Sequence, residues 1–147
     1  MFNMNFSTDW LISILLTIPG VLLALSVHEC AHGWMSYKLG DPTARNLGRI
    51  TLNPLKHFDL VGFICMIFFR VGWAKPVPID VRYFKNPRAG MAITALAGPL
   101  SNVFLSALAA AGYTASMFYA IYFELTFLET LAEFFFVVFY LSAGLAV

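Results

Sequence analysis

With 147 residues, of which 60% are hydrophobic, 16% aromatic and only 12% charged, the chain is too apolar for a water-soluble domain, where about a quarter of the residues are charged. The length suits a single small domain, residues 1–147, with a few membrane spans. A net charge of +1 gives no footing for nucleic acid, but all nine Lys and Arg fall between Lys38 and Arg88, which makes the charge one-sided. Cys30 and Cys65 form no C-x-x-C pair, which argues against a disulfide framework or a cysteine zinc site. The N-terminus lacks a basic n-region, so the first apolar run reads as a retained span and not as a cleaved signal.

No charged side chain occurs from Trp10 to Val27, and the spacing predicts one helix from Trp10 to Leu39, stopped by Gly40-Asp41-Pro42. Pro19-Gly20 is expected to bend it, and Trp10, Trp34 and Tyr37 suit interfacial positions. Residues 40–88 are polar, basic and Pro-containing, with Asn53-Pro54 and Asn86-Pro87 read as helix-breaking pairs. Within them "LVGFICMIFF", 60–69, is apolar but too short to span, and fits a re-entrant segment or one arm of a β-hairpin. "WAKPVPIDV", 73–81, reads as extended chain, because each residue before a proline is pushed from the α region.

From Ala89 to Phe123 no residue is charged, which predicts one long span with an overhang or a span plus a short interfacial helix. Thr94, Gly98, Asn102, Ser106 and Ala110 recur every four residues along it, a small and polar stripe that lets helices pack closely in lipid, while Leu105 is read as lipid-facing. Glu124, Glu129 and Glu133 mark a polar connection, and a last apolar run extends from Phe134 to Val147. The expected fold is an all-α polytopic membrane protein with about three transmembrane helices and a re-entrant or short β-hairpin segment between the first and second. The positive-inside rule places the basic 38–88 region in the cytoplasm of a multi-pass cell-membrane protein, with the N-terminus and the glutamate turn outside.

"SVHECAHGW", 26–34, places three polar groups at the end of the first apolar run. In H-E-x-x-H the histidines are four apart, so His28 and His32 stack on one helical face and can share a metal ion. Glu29 lies on the same half of the helix, placed to handle the proton of a water molecule. Ionisable groups in or against a bilayer are costly and mark function more often than packing.

The chain resembles the site-2 protease family, the zinc intramembrane metalloproteases, in its compact prokaryotic form. The resemblance rests on "HECAHG" at 28, "GDPTA" at 40, "GRITLNPLKH" at 48, "GWAKPVP" at 72 and "AGPLSN" at 97, in family order over roughly residues 20–105. It implies that His28 and His32 bind Zn2+, that Glu29 is the catalytic acid/base, and that Asn102 lies near the active site on the substrate side. The family's third ligand is an aspartate of an Asp-Gly pair on a later helix, and none of Asp9, Asp41, Asp59 and Asp80 precedes glycine. The last apolar run is short for a span, so the natural chain is expected to continue past Val147 and supply that pair there. Asp59 is the weaker candidate, its other reading being a loop carboxylate that caps a turn or pairs with Lys56. His57 reads as a loop or substrate-side residue, and Cys30 as a packing residue.

The expected activity is therefore zinc-dependent endopeptidase action on peptide bonds of transmembrane protein substrates within the lipid bilayer. A non-catalytic membrane scaffold of the same fold and a small metal or proton transporter are the alternatives.

Overall fold

The computed structural model describes residues 8–69 and 74–146, so residues 1–7, 70–73 and 147 lie outside the described residues. Its helices are α1 (Thr8–Lys38), α2 (Thr43–Asn46), α3 (Leu60–Phe69), α4 (Pro87–Phe123) and α5 (Thr126–Ala146), with 3-10 turns at Pro54–Lys56 and Val81–Tyr83. Among the described residues three helices are long and apolar enough to cross a membrane: Leu15–Lys38, Pro87–Phe123 and Phe127–Ala146. The all-α polytopic reading holds.

The first helix stops as its sequence requires. Gly40, at φ 110°, turns the chain where an L side chain would be strained, and the amides of Leu39, Gly40 and Asp41 bond back to carbonyls of the last turn. Both Asn-Pro pairs turn out to be starts and not breaks. The Asn53 side chain accepts from the Leu55 amide and the Asn86 side chain from the Ala89 amide, each with proline at the first helical position, where no N–H is needed.

The polar connection before the last helix is shorter than expected. Glu124 takes the left-handed conformation, φ 53°, and α5 begins at Thr126, so Glu129 and Glu133 sit on the helix and not in a turn. The last helix is thus 21 residues, about 32 Å at 1.5 Å per residue, sufficient for the ~30 Å hydrocarbon core. A helix and not a hairpin arm forms at 60–69, and no strand occurs among the described residues. Residues 74–80 have no regular secondary structure, as the prolines dictate.

α4 and α5 form an antiparallel hairpin, and α1 packs against both. Small residues set the distances. A Cβ on Gly112 would lie 2.8 Å from the Phe135 ring, and one on Gly20 3.0 Å from Val137. Close backbone approach is how helices gain dispersion contacts in lipid, which offers no hydrophobic drive between them. Thr94, Gly98 and Asn102 of the stripe are buried, while Ser106 and Ala110 are half-buried. Leu105 is half-buried too; it lines a small apolar pocket with Leu23, Leu108 and Val138, which corrects its lipid-facing reading. Near the turn, the Phe118 and Tyr122 rings stack, as do Tyr119 and Phe123, an aromatic cluster of the kind that sits at a membrane surface.

Candidate metal centre

The last three turns of α1 carry the site, and two different partners flank them. On one face His28 and His32 meet α4. Their rings are edge to face with centroids 4.6 Å apart. His32 Nδ1 lies 2.7 Å from the Thr94 carbonyl oxygen, which can only accept, so Nδ1 carries the proton and Nε2 keeps its lone pair. Pro99 has no N–H for the Ala95 carbonyl and opens this turn of α4, where the Thr94 carbonyl meets the histidine. His28 Nδ1 lies 3.1 Å from Asn102 Nδ2, and Asn102 is completely buried.

Between these two contacts stands Gly98. A Cβ there would be 2.4 Å from His32 Nε2 and 2.6 Å from His28 Nε2. Both ring nitrogens therefore converge on the volume that a side chain at this position would fill. Zinc–nitrogen bonds of about 2.0–2.1 Å are within reach of both atoms from there. The donor chemistry fits: two imidazoles share this volume, and the outer nitrogen of each lies within hydrogen-bond distance of a group on α4, the Thr94 carbonyl for His32 and the Asn102 side-chain amide for His28.

On the neighbouring face of α1, about 100° round from the histidines, runs the strap, residues 74–80. The Val77 amide donates to Glu29 Oε2 at 3.0 Å. Gly33 lets this segment approach, since a Cβ there would meet Val77, Ala44 and Ile50 within 3.4 Å. The carboxylate of the H-E-x-x-H motif is thus oriented by main chain from 48 residues away.

Asp41 fixes the other end of the strap. Buried completely, its Oδ2 accepts from the Ser36 hydroxyl at 2.7 Å and the Asp80 amide at 2.8 Å, and its Oδ1 from the Thr43 amide at 2.9 Å. Burial pushes this carboxyl up, but hydrogen bonds from the Thr43 side chain and amide, Asp80 and Ser36 outweigh it and hold the carboxyl below its ordinary value. A carboxyl lowered in the folded state stabilises above its unfolded value near ~4 and loses that contribution as pH falls through the folded value. Asp41→Asn puts an amide N–H2 among donors and is expected to destabilise by about 2 kcal/mol. The check is thermal unfolding in micelles: the variant melts lower at pH 7, and the gap narrows below pH ~4 as the wild-type carboxyl protonates.

The other sequence candidates have structural tasks. Asp59 Oδ1 accepts from the Gly62 amide at 2.7 Å and caps α3. His57 is buried, its Nε2 2.9 Å from the Thr51 carbonyl oxygen. Cys30 is a half-buried free cysteine on α1. Asp80 pairs with Arg82 at 2.6 Å. Among the described residues no cluster of three His, Cys, Asp or Glu side chains forms, so Asp59 does not join the histidines. Asp41, read from sequence only as part of a helix stop, is the network the sequence reading missed. Its signal was an aspartate two residues before Thr43, an Asx-turn spacing.

Two curated relatives match the chain. It is 43% identical over 86 residues to "Putative zinc metalloprotease YwhC" of Bacillus subtilis, covering 58% of this chain and 39% of that protein. It is 30% identical over 100 residues to "Putative zinc metalloprotease Rip2" of Mycolicibacterium smegmatis, covering 64% of this chain and 38% of that protein. The similarity is to proteins named as zinc metalloproteases. The chain spans about two fifths of the length of these relatives. No family model and no solved structure matches it.

Proposed function

We propose that this chain carries the catalytic helix of a site-2-type intramembrane zinc endopeptidase acting on transmembrane protein substrates. The observation that supports it most is the convergence of His28 Nε2 and His32 Nε2 over Gly98, with the Glu29 carboxylate one residue along the same helix. His28 and His32 would hold the ion; when bound, zinc supplies the Lewis acidity that a peptide carbonyl needs. Two imidazoles hold zinc weakly, and this reading calls for a third donor other than the described side chains.

The chain's own residues divide the remaining work. Glu29 takes the proton of the attacking water and returns it to the leaving amine. The Val77 amide keeps that carboxylate turned towards the strap side, and the Asp41 network keeps the strap in place.

The reading is tested by incubating purified full-length protein with a model transmembrane substrate in vesicles. Cleavage should disappear with a zinc chelator, return with added zinc, and be absent in His32→Ala. Cleavage indifferent to chelation and to that substitution would remove the zinc reading.

The proposed orientation, with the basic 38–88 region cytoplasmic, has its own check. A cysteine at Asn46 should react with an impermeant thiol reagent only from the cytoplasmic side, and one at Glu124 only from outside. Both positions are exposed. Reversed labelling would invert the topology.

A further inference from the structure

Beyond the end of α1 the chain leaves large apolar side chains in the open. Leu47, Leu52, Leu55, Leu60, Val61 and Ile64, all within residues 47–64, are between 43% and 77% exposed. α3 carries the last three and packs against no other helix among the described residues. Apolar side chains gathered in this way mark a contact surface, and its charge and position say for what.

The charge is positive. Lys38, Arg45 and Lys56 are exposed, and among the described residues no ion pair neutralises them. The carboxylates of the same stretch are committed elsewhere: Asp41 is completely buried under its hydrogen bonds, and Asp59 caps α3. The position is the membrane surface. The chain after α1 folds back along it, so that Ala44 and Ile50 lie against Gly33, about 7.5 Å before the helix end at Lys38. Trp34, half exposed, has the Lys38 ammonium 5.4 Å from its ring centre, and Tyr37 has the Arg45 guanidinium at 4.8 Å. Aromatic rings carrying cations at the end of an apolar helix belong at headgroup level.

We propose that residues 38–64 form a foot that seats these apolar side chains in the headgroup boundary of an anionic leaflet, with Lys38, Arg45 and Lys56 on lipid phosphates. The partner is lipid and not a soluble protein, because the helices this part of the chain joins, α1 and α4, are membrane spans and keep it beside the bilayer whatever else is present. Leucine interleaved with Lys and Arg, without a free carboxylate, is the composition of membrane-surface segments. α3, ten residues and about 15 Å long, is too short to cross and lies along the same surface. Each cation near an anionic surface strengthens the contact about 5-fold, and salt screens that gain. The inference is independent of the metal reading.

Electron spin resonance of spin-labelled phosphatidylglycerol and phosphatidylcholine around the full-length protein, in phosphatidylcholine vesicles, measures the preference. Wild type should hold phosphatidylglycerol more strongly. The preference should fall by up to about 5-fold for each charge removed in Lys38→Gln and Lys56→Gln, and should fall again at about 1 M salt. Asp80→Asn combined with Arg82→Gln removes an ion pair without changing the net charge and should leave the preference as it was. A second measurement places the leucines. A fluorophore on Leu55→Cys, with Cys30→Ala and Cys65→Ala, should be quenched by lipid-borne nitroxide and shielded from aqueous iodide. Should that variant fail to fold, the lipid preference of wild type and of the lysine variants still decides.

Equal association of the two lipids with wild type, or an undiminished preference in the double lysine variant, would overturn the inference. So would a probe at Leu55 open to iodide, which would give the surface to a soluble partner. None of these outcomes bears on the zinc site, and loss of zinc binding bears on none of them.

Discussion

Glu29→Gln should lower cleavage by about 10²–10⁴-fold, the range for loss of a positioned general base, while zinc content and melting temperature stay at wild-type values. The carboxamide has the carboxylate's shape, and its oxygen can still accept from the Val77 amide, so the strap remains docked. What is lost is the group that can take up a proton. The measurement pairs turnover of a vesicle-embedded substrate with metal analysis of the same preparation. Normal turnover would remove Glu29 from the mechanism. A parallel loss of zinc would show that it acts as a ligand.

The second large effect belongs to a residue with no functional group. Gly98→Ala places a carbon 2.4–2.6 Å from atoms of both imidazoles, closer than real side chains approach, so the rings must swing off or α1 and α4 must part. Overpacking of this kind costs about 1–3 kcal/mol, and here it falls on the metal-facing atoms. Zinc affinity should fall by at least about 10-fold, on the scale of disturbing the groups that orient a ligand. Gly144→Ala is the control: nothing lies within 4 Å of its Cβ position, so it should be neutral or slightly stabilising. Equal effects of the two substitutions would remove the close-contact account of Gly98.

Much of this centre was legible in the linear chain because its parts obey short-range rules. Spacing of four placed His28 and His32 on one face, and the same spacing put Thr94, Gly98 and Asn102 on another; the structure brings the two faces together. Charge-free runs mark α1 and α4, and of the two readings of 89–123 the single long helix is the one that forms, as Pro87–Phe123. What stayed hidden was long-range and main-chain. A hydrogen bond from the Val77 amide to Glu29 leaves no mark on side-chain pattern, and neither does the Thr94 carbonyl. Asp41 looked like punctuation because a Gly-Asp-Pro string satisfies turn rules whether or not its carboxylate is buried. Glu129 and Glu133 misled for a different reason: exposed on α5, they mimic a loop in composition while their backbone is fully helical.

One hydrogen bond described by neither motif nor site has a mechanical meaning. The Lys75 amide donates to the His57 carbonyl at 2.8 Å, which closes a neck between the two ends of the stretch that contains α3. Beyond that neck α3 packs against no other helix among the described residues, whereas directly after it the strap passes Glu29. The tie between His57 and Lys75 thus stands between this excursion and the strap that holds the Glu29 carboxylate. Such an arrangement resembles a strain relief on a cable: the tie separates the excursion from the strap that follows it. A short epitope placed within 60–69 is then expected to leave the hydrogen bond between the Val77 amide and Glu29 in place.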